Sequence, residues 1–390
     1  MKQISRVAVV YFAELQKEEL VWSLLQAGFD AQLFDSNISI YSTDENDTHS
    51  FVKYIEENGI EAFITYDFCP ALSDACEIRK VPYISWIYDC PHSTLYERSV
   101  TNEFNFIFSF DRNQAEKTLL LGGKHVYHQP LGTNMLRNSG TVIDQTAEEK
   151  FACDVSFVGN IYPDELYRKI EERASDTTRH EYNTIMADTY GKWDGEDRIH
   201  KKLSEDALTE LDRVYYGSGQ KKVDSDTFFA SQLISRTLAG RERIEMLERL
   251  AKYGVQFFTG TRDVSIAGVT PRPTVDQLAE LPQVYYLSRI NLNITLHCIT
   301  SGIPARVFEI MGVGGFVISN YQPEIEELFK IDKEIVVYRS FEELEEKVRY
   351  YLANERKRLE ICINGYNAVK EKYDNERIVR YMIETACREL

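Results

Sequence analysis

Residues 301–329 read SGIPARVFEIMGVGGFVISNYQPEIEELF. Pro304 suits the first turn of a helix, where its missing N–H costs nothing, and Gly312 falls where such a helix should stop. Gly314 and Gly315 then allow a tight return into the apolar strand FVIS with close helix-to-sheet packing. The stretch therefore predicts a helix from Pro304 to about Gly312 and a buried strand behind it, which is half of a parallel α/β unit. The start of that helix presents unpaired N–H groups suited to phosphate, and Arg306 adds a guanidinium able to fork onto diphosphate oxygens. One turn on, Glu309 offers two acceptor oxygens that match the two hydroxyls of a ribose. The alternative is an ordinary helix, turn and strand with a surface ion pair between Arg306 and Glu309.

The same alternation extends outward. INLNITL (290–296) precedes the stretch, EIVVYRSFEELEEKVRYYL (334–352) follows it, and CDVSFVGNIYP (153–163) and RERIEMLERLAKYGVQFFTG (241–260) supply further strands and helices. In the first third, RVAVVYF, DAQLFD, IEAFITYD, VPYISWIYD and FNFIFSFD are short apolar runs without strict alternation, as strands buried on both faces of a parallel sheet should be. Asp67, Asp89 and Asp111 stand at the ends of three of them, where ligands bind in such sheets. The sequence predicts an α/β chain of two Rossmann-like, doubly wound domains facing a cleft. The first covers 1–135, and 134–150 loses apolar periodicity as an interdomain linker should. The second covers 151–372 and carries a charged helical insertion at about 163–235, and a helix at 373–390 is placed to pack back on the first domain.

Bulk properties narrow the function. The chain has 390 residues, enough for two cores, and a net charge of −17, which disfavours nucleic acid because phosphate backbones are held by clustered Lys and Arg. No apolar run approaches the roughly 20 residues of a membrane span, and charge returns too soon after Met1 for a signal peptide, so the expectation is a cytoplasmic protein without stable membrane insertion. Seven scattered cysteines in no C-x-x-C pair disfavour both a disulfide framework and structural zinc. The loop YFAELQ after the first strand lacks the glycine fingerprint of a dinucleotide site, which disfavours a dehydrogenase.

RVFEIMGVGGFVISNYQPEIEELF with EIVVYRSFEELEEKVRYYL resembles the nucleotide-sugar-binding half of GT-B glycosyltransferases, and within them the family of the spore maturation protein CgeB. DVSFVGNIYPDELYRKIEE is similar to that family's entry into the second domain, with Arg168 after the glycine turn. VPYISWIYDCPHS is similar to its amino-terminal domain. The resemblance implies a hexosyltransferase-type enzyme (EC 2.4) that moves sugar from a UDP-, GDP- or dTDP-linked donor to a protein or glycan acceptor, with no further cofactor and no metal. It also implies that the loop of Gly159 and Asn160 faces the donor phosphates.

Gly260, after QFFT, is a candidate for the base pocket, and Tyr321, after FVISN, for stacking or bonding at the donor. Many retaining GT-B enzymes carry a Glu-x7-Glu pair, but eight residues before Glu309 stands Ser301, which favours inversion. An inverting displacement needs a base. Asp89 is the first candidate, with aromatic neighbours and a turn forced by Pro91; His92 is the alternative, and Asp67 and Asp111 follow. Asp89 also fits a turn former or helix cap, and a lone His such as His92 or His297 also fits a structural residue. Competing readings are a nucleotide-sugar epimerase or hydrolase and a non-catalytic sugar-nucleotide-binding protein. The sequence leaves the sugar, the base, the acceptor and the oligomeric state open.

Overall fold

The computed structural model describes residues 4–390 apart from 13–16, 36, 218, 220–222 and 263. Most of the loop YFAELQ therefore lies outside the described residues. Contacts divide the chain into two compact units, one of residues 1–137, 302–308 and 369–390, the other of residues 138–301 and 309–368.

The first unit holds a six-stranded parallel sheet in the order β2-β1-β3-β4-β5-β6. Its strands are β1 (Arg6–Tyr11), β2 (Asp30–Asp35), β3 (Ala62–Tyr66), β4 (Tyr83–Ile87), β5 (Asn105–Ser109) and β6 (His125–His128). The three strands β3, β4 and β5 are buried at every position, which explains their unbroken apolar runs. DAQLFD alternates between exposed and half-buried because it lies at an edge. The core joins Phe51, Phe63, Phe68, Tyr83 and Ile107. The helix Asn375–Glu389 buries Ile378, Val379, Met382 and Ile383 and packs on the helix Lys17–Gln26 and on β4 and β5. Asp374 caps it, and Thr133 bridges to Asp374 through backbone bonds of 3.0 Å on either side.

The second unit holds another six-stranded parallel sheet, ordered β12-β11-β10-β7-β8-β9. These strands are β7 (Cys153–Val158), β8 (Val255–Phe258), β9 (Pro271–Arg272), β10 (Ser288–Asn293), β11 (Val317–Asn320) and β12 (Val336–Tyr338). The insertion is helical, as its spacing predicts: Glu165–Glu171, Asp176–Thr189, Glu205–Tyr216 and Ser225–Phe228 lead into a π-helical turn, Phe229–Ser235, and the long helix Arg236–Leu250. Ser175, Ser204 and Asp224 accept amide N–H bonds at three of these starts. Tyr182, Met186, Leu211, Phe229 and Leu233 give the insertion a core of its own, which Cys298 of the loop after β10 joins.

The stretch read as a linker is not unstructured. Met135–Ser139 and Gln145–Phe151 are short helices, the first begun by Asn134 Oδ1 accepting the Arg137 amide at 2.8 Å and the second capped by Asp144. Phe151 and Ala147 pack with Phe258 and Val284, so the second unit begins before residue 151. None of the seven cysteines is in a disulfide. Among the described residues, no helix is long and apolar enough to cross a membrane.

Candidate active site

In the second sheet the chain leaves β7 toward β8 on one side and later returns to β10 on the other. The β7–β10 boundary is thus the topological switch point, where open α/β sheets bind ligands beyond the carboxyl ends of their strands. Gly159 and Asn160 lie at the end of β7. The Gly159 amide donates to Phe258 O at 3.0 Å, and Asn160 Oδ1 accepts the Gly260 amide at 3.0 Å, so the loops after β7 and β8 are tied together. Asn160 and Gly260 are both exposed.

The loop after β10 is fixed by groups that the sequence reading passed over. Arg243, 4% exposed, donates to Asn160 O at 2.6 Å and to Ile294 O at 3.1 Å, clamping the loops of β7 and β10 across the switch point. Its guanidinium also lies over the rings of Phe157 and Tyr162. Asn320 Oδ1 accepts the Thr295 amide at 2.7 Å, and Asn293 donates to the Ser319 hydroxyl at 2.9 Å, which fixes the ends of β10 and β11. Such buried, bonded polar groups specify one loop geometry.

The helix after this loop runs Ala305–Gly312, one residue short of the predicted start, because Pro304 O accepts the Val307 amide from outside it. Arg306 is half-buried in its first turn and Glu309 is buried in the next. The return behind it is as tight as the glycines predict. Gly314 has φ +82°, and a Cβ on Gly315 would stand 2.6 Å from Tyr285 O. Tyr321 follows β11; its amide donates to Tyr338 O, and Arg339 lies over its ring at 4.0 Å. Burial, with Glu326 nearby, raises the Tyr321 phenol above its usual range, so it stays protonated at neutral pH. Arg168 is different. It is exposed in the last turn of the helix Glu165–Glu171 and joins none of the bonds that tie the loops after β7, β8 and β10.

At the place of the missing first glutamate, the Ser301 hydroxyl donates to Glu324 Oε1 at 2.7 Å, and Glu324 is 1% exposed. A carboxylate therefore does reach Ser301, from the helix Pro323–Leu328 rather than from the expected spacing.

In the first unit, Asp89 and His92 follow β4. Asp67, after β3 and with φ 55°, turns Oδ1 onto the amides of Tyr88 (2.9 Å) and Asp89 (3.0 Å). Gln114 accepts the His92 amide at 2.8 Å and donates to Asp89 O at 2.9 Å. The backbone that carries Asp89 is held from both sides while its side chain is exposed. Of the aromatic residues just before Asp89, Trp86 is fully buried and Tyr88 half-buried. His92 is 2% exposed; its Nε2 lies 3.2 Å from the Phe68 amide and 3.3 Å from Phe68 O, so either tautomer finds a partner there, and its Nδ1 lies 3.7 Å from Asp67. Asp111 caps the helix Arg112–Leu120 and accepts the Gly302 amide at 3.0 Å. Donor atoms of Asp67, Asp89 and His92 all lie within 4.8 Å, the spacing of a metal centre.

Two such sheets, each with helices and a ligand-type switch point, define the GT-B class. Solved structures share this fold. The glycosyltransferase from Rickettsia africae aligns over 99% of this chain and 98% of its own at 11% identity (TM-score 0.53). HepE from Anabaena, solved in complex with UDP-glucose, aligns over 98% and 91% at 11% identity (TM-score 0.51). A putative UDP-N-acetylglucosamine 2-epimerase from Listeria monocytogenes aligns over 100% and 98% at 9% identity (TM-score 0.52). More specifically, residues 236–384 match the model of a family described as glycosyl transferase-like. No curated protein matches the chain by sequence.

Proposed function

We propose that this chain transfers a sugar from a nucleoside-diphosphate donor to an acceptor hydroxyl on a protein or glycan, with inversion and without a metal, as a cytoplasmic member of the CgeB-like group. The observation that carries this reading is the second unit's switch point. Its loops are clamped by Arg243 and lead into a helix with Arg306 at its start and Glu309 one turn on, inside the region that matches a glycosyl transferase-like model. That one protein of this fold was solved with UDP-glucose supports the choice of donor.

In this reading the helix start and Arg306 balance the charge of the leaving diphosphate, and Glu309 accepts from the ribose hydroxyls. Gly159, Asn160 and Gly260 allow the donor close to backbone. Asp89 takes the proton of the acceptor hydroxyl as its oxygen attacks the anomeric carbon and the bond to diphosphate breaks. Exposure favours Asp89 over buried His92 for this task.

A panel of UDP, GDP and dTDP in a thermal-shift assay tests the donor, because a ligand bound only by the native state raises the melting temperature. One of the three should do so, and a flat response to all would remove the reading. Product stereochemistry then tests inversion. Retention would contradict it and direct attention to Glu324 beside Ser301.

A further inference from the structure

The loop after the helix Asp176–Thr189 brings Trp193 to the carboxyl ends of β10 and β11. The Gly191 amide donates to Glu242 Oε1 at 2.9 Å and the Trp193 amide to Arg339 O at 3.1 Å, so the loop is fixed at both shoulders. Asp194 takes two 2.6 Å bonds from Arg198, which holds its far side. The Trp193 ring stands edge-on to Tyr338 and Phe341 and parallel to His297, with 6.0 Å between centroids and 7° between planes. His297 Nε2 lies 2.9 Å from Oε1 of Glu242, whose side chain is fully buried.

The Trp193 and His297 rings form one wall of a small recess completed by Gly195, Thr300, Tyr321 and Gln322. Gly195, at φ +89°, keeps it open, since a Cβ there would stand 3.0 Å from the Tyr321 ring. Trp193 is 4% exposed, yet its indole N–H meets no acceptor among the described residues. A buried donor left in this state costs about 1–3 kcal/mol, and its ring neighbours Tyr338 and Phe341 pack as aromatic edges. An acceptor from the recess would satisfy it.

The remaining lining groups select the chemistry of that acceptor. Hydroxyls of Thr300 and Tyr321, the Gln322 amide and the His297 imidazole both donate and accept. Glu196 and Asp197 also line the recess and Glu242 lies behind His297, while Lys192, its one lining ammonium, is paired with Asp188 at 2.9 Å; the balance is acidic, hostile to phosphate and suited to a neutral hydroxyl. We propose that this recess, of about 30 Å³, receives a hydroxyl at the edge of the donor sugar, bonded by the Trp193 indole N–H and the Glu242-held His297, so that the helical insertion selects the sugar. This rests on the donor reading above.

The test separates sugar from nucleotide. Calorimetry measures, for wild type, Trp193→Phe and His297→Gln, the affinity for UDP, GDP and dTDP and for their glucose, galactose, mannose, N-acetylglucosamine and rhamnose conjugates. Phe keeps the packing against Tyr338 and Phe341, and Gln keeps a donor toward Glu242; unchanged melting temperatures verify both. The expected result is an about five- to thirty-fold loss for the best-bound conjugate, the usual effect of one lost hydrogen bond, with affinity for its parent diphosphate unchanged. If both variants bind that conjugate like wild type, or lose diphosphate and conjugate equally, the sugar assignment is overturned while the donor reading stands. If wild type binds none of these compounds, both fall.

Discussion

Asp89 carries the riskiest assignment. Its amide and carbonyl are held by Asp67 and Gln114 while the residue is exposed, so the backbone is fixed at a solvent-facing position. Asp89→Asn should leave donor affinity unchanged and lower kcat by about a hundredfold or more, the contribution of a positioned base. Steady-state kinetics beside a donor titration would show that separation; near-normal turnover would refute the role. Arg306 and Glu309 were legible because a proline, a helix period and a glycine turn fix where they stand along the chain. Glu242 and Arg243 were not. They sit in GRERIEMLERL, where charge predicts a solvated helix face, but the fold buries them both among the loops they hold. Glu324 escaped for a related reason: its partner Ser301 lies 23 positions away, and no local pattern encodes that pairing.

Single elements make two further predictions. Gly315 lets the turn behind the helix Ala305–Gly312 approach Tyr285 O, so Gly315→Ala should destabilise the protein by about 1–3 kcal/mol, the range for overpacking a filled site. Urea denaturation would read it. The loop bearing Trp193 depends on Asp194, which the Arg198 bonds hold down at about 2. A carboxyl depressed in the folded state stabilises above its unfolded value and loses that contribution as pH falls through the folded one. Asp194→Asn should therefore cost under about 1 kcal/mol at pH 7, because the pair is partly exposed. Denaturation at pH 7 to 3 should show that cost shrinking below about pH 4. Constancy across the range would contradict the pairing. The insertion's helices were legible from their spacing, whereas 134–150 was read as a linker because two short helices leave too few turns for a period to show.

Two sheets that each extend to both sides of a first strand repeat one doubly wound architecture, and strand order is what the sequence could not print. Alternation predicts parallel strands; only the packed sheets reveal β7 beside β10 and hence which loops meet. A helix was expected at 373–390, and in the structure Val369–Leu390 cluster with the first unit, which a linear division of the chain hides. At this scale the proposed chemistry assigns the departing charge to a helix start and Arg306, so activity should survive EDTA. Loss of turnover with rescue by magnesium or manganese would contradict that assignment and return attention to Asp67, Asp89 and His92. The most direct measurement is isothermal titration of the nucleoside diphosphate that stabilises wild type into Arg306→Ala and Glu309→Ala. Each should bind about 1–3 kcal/mol more weakly, the cost of a hydrogen bond to a charged group. Wild-type affinity in both folded variants would remove the donor from this helix, and with it the central claim.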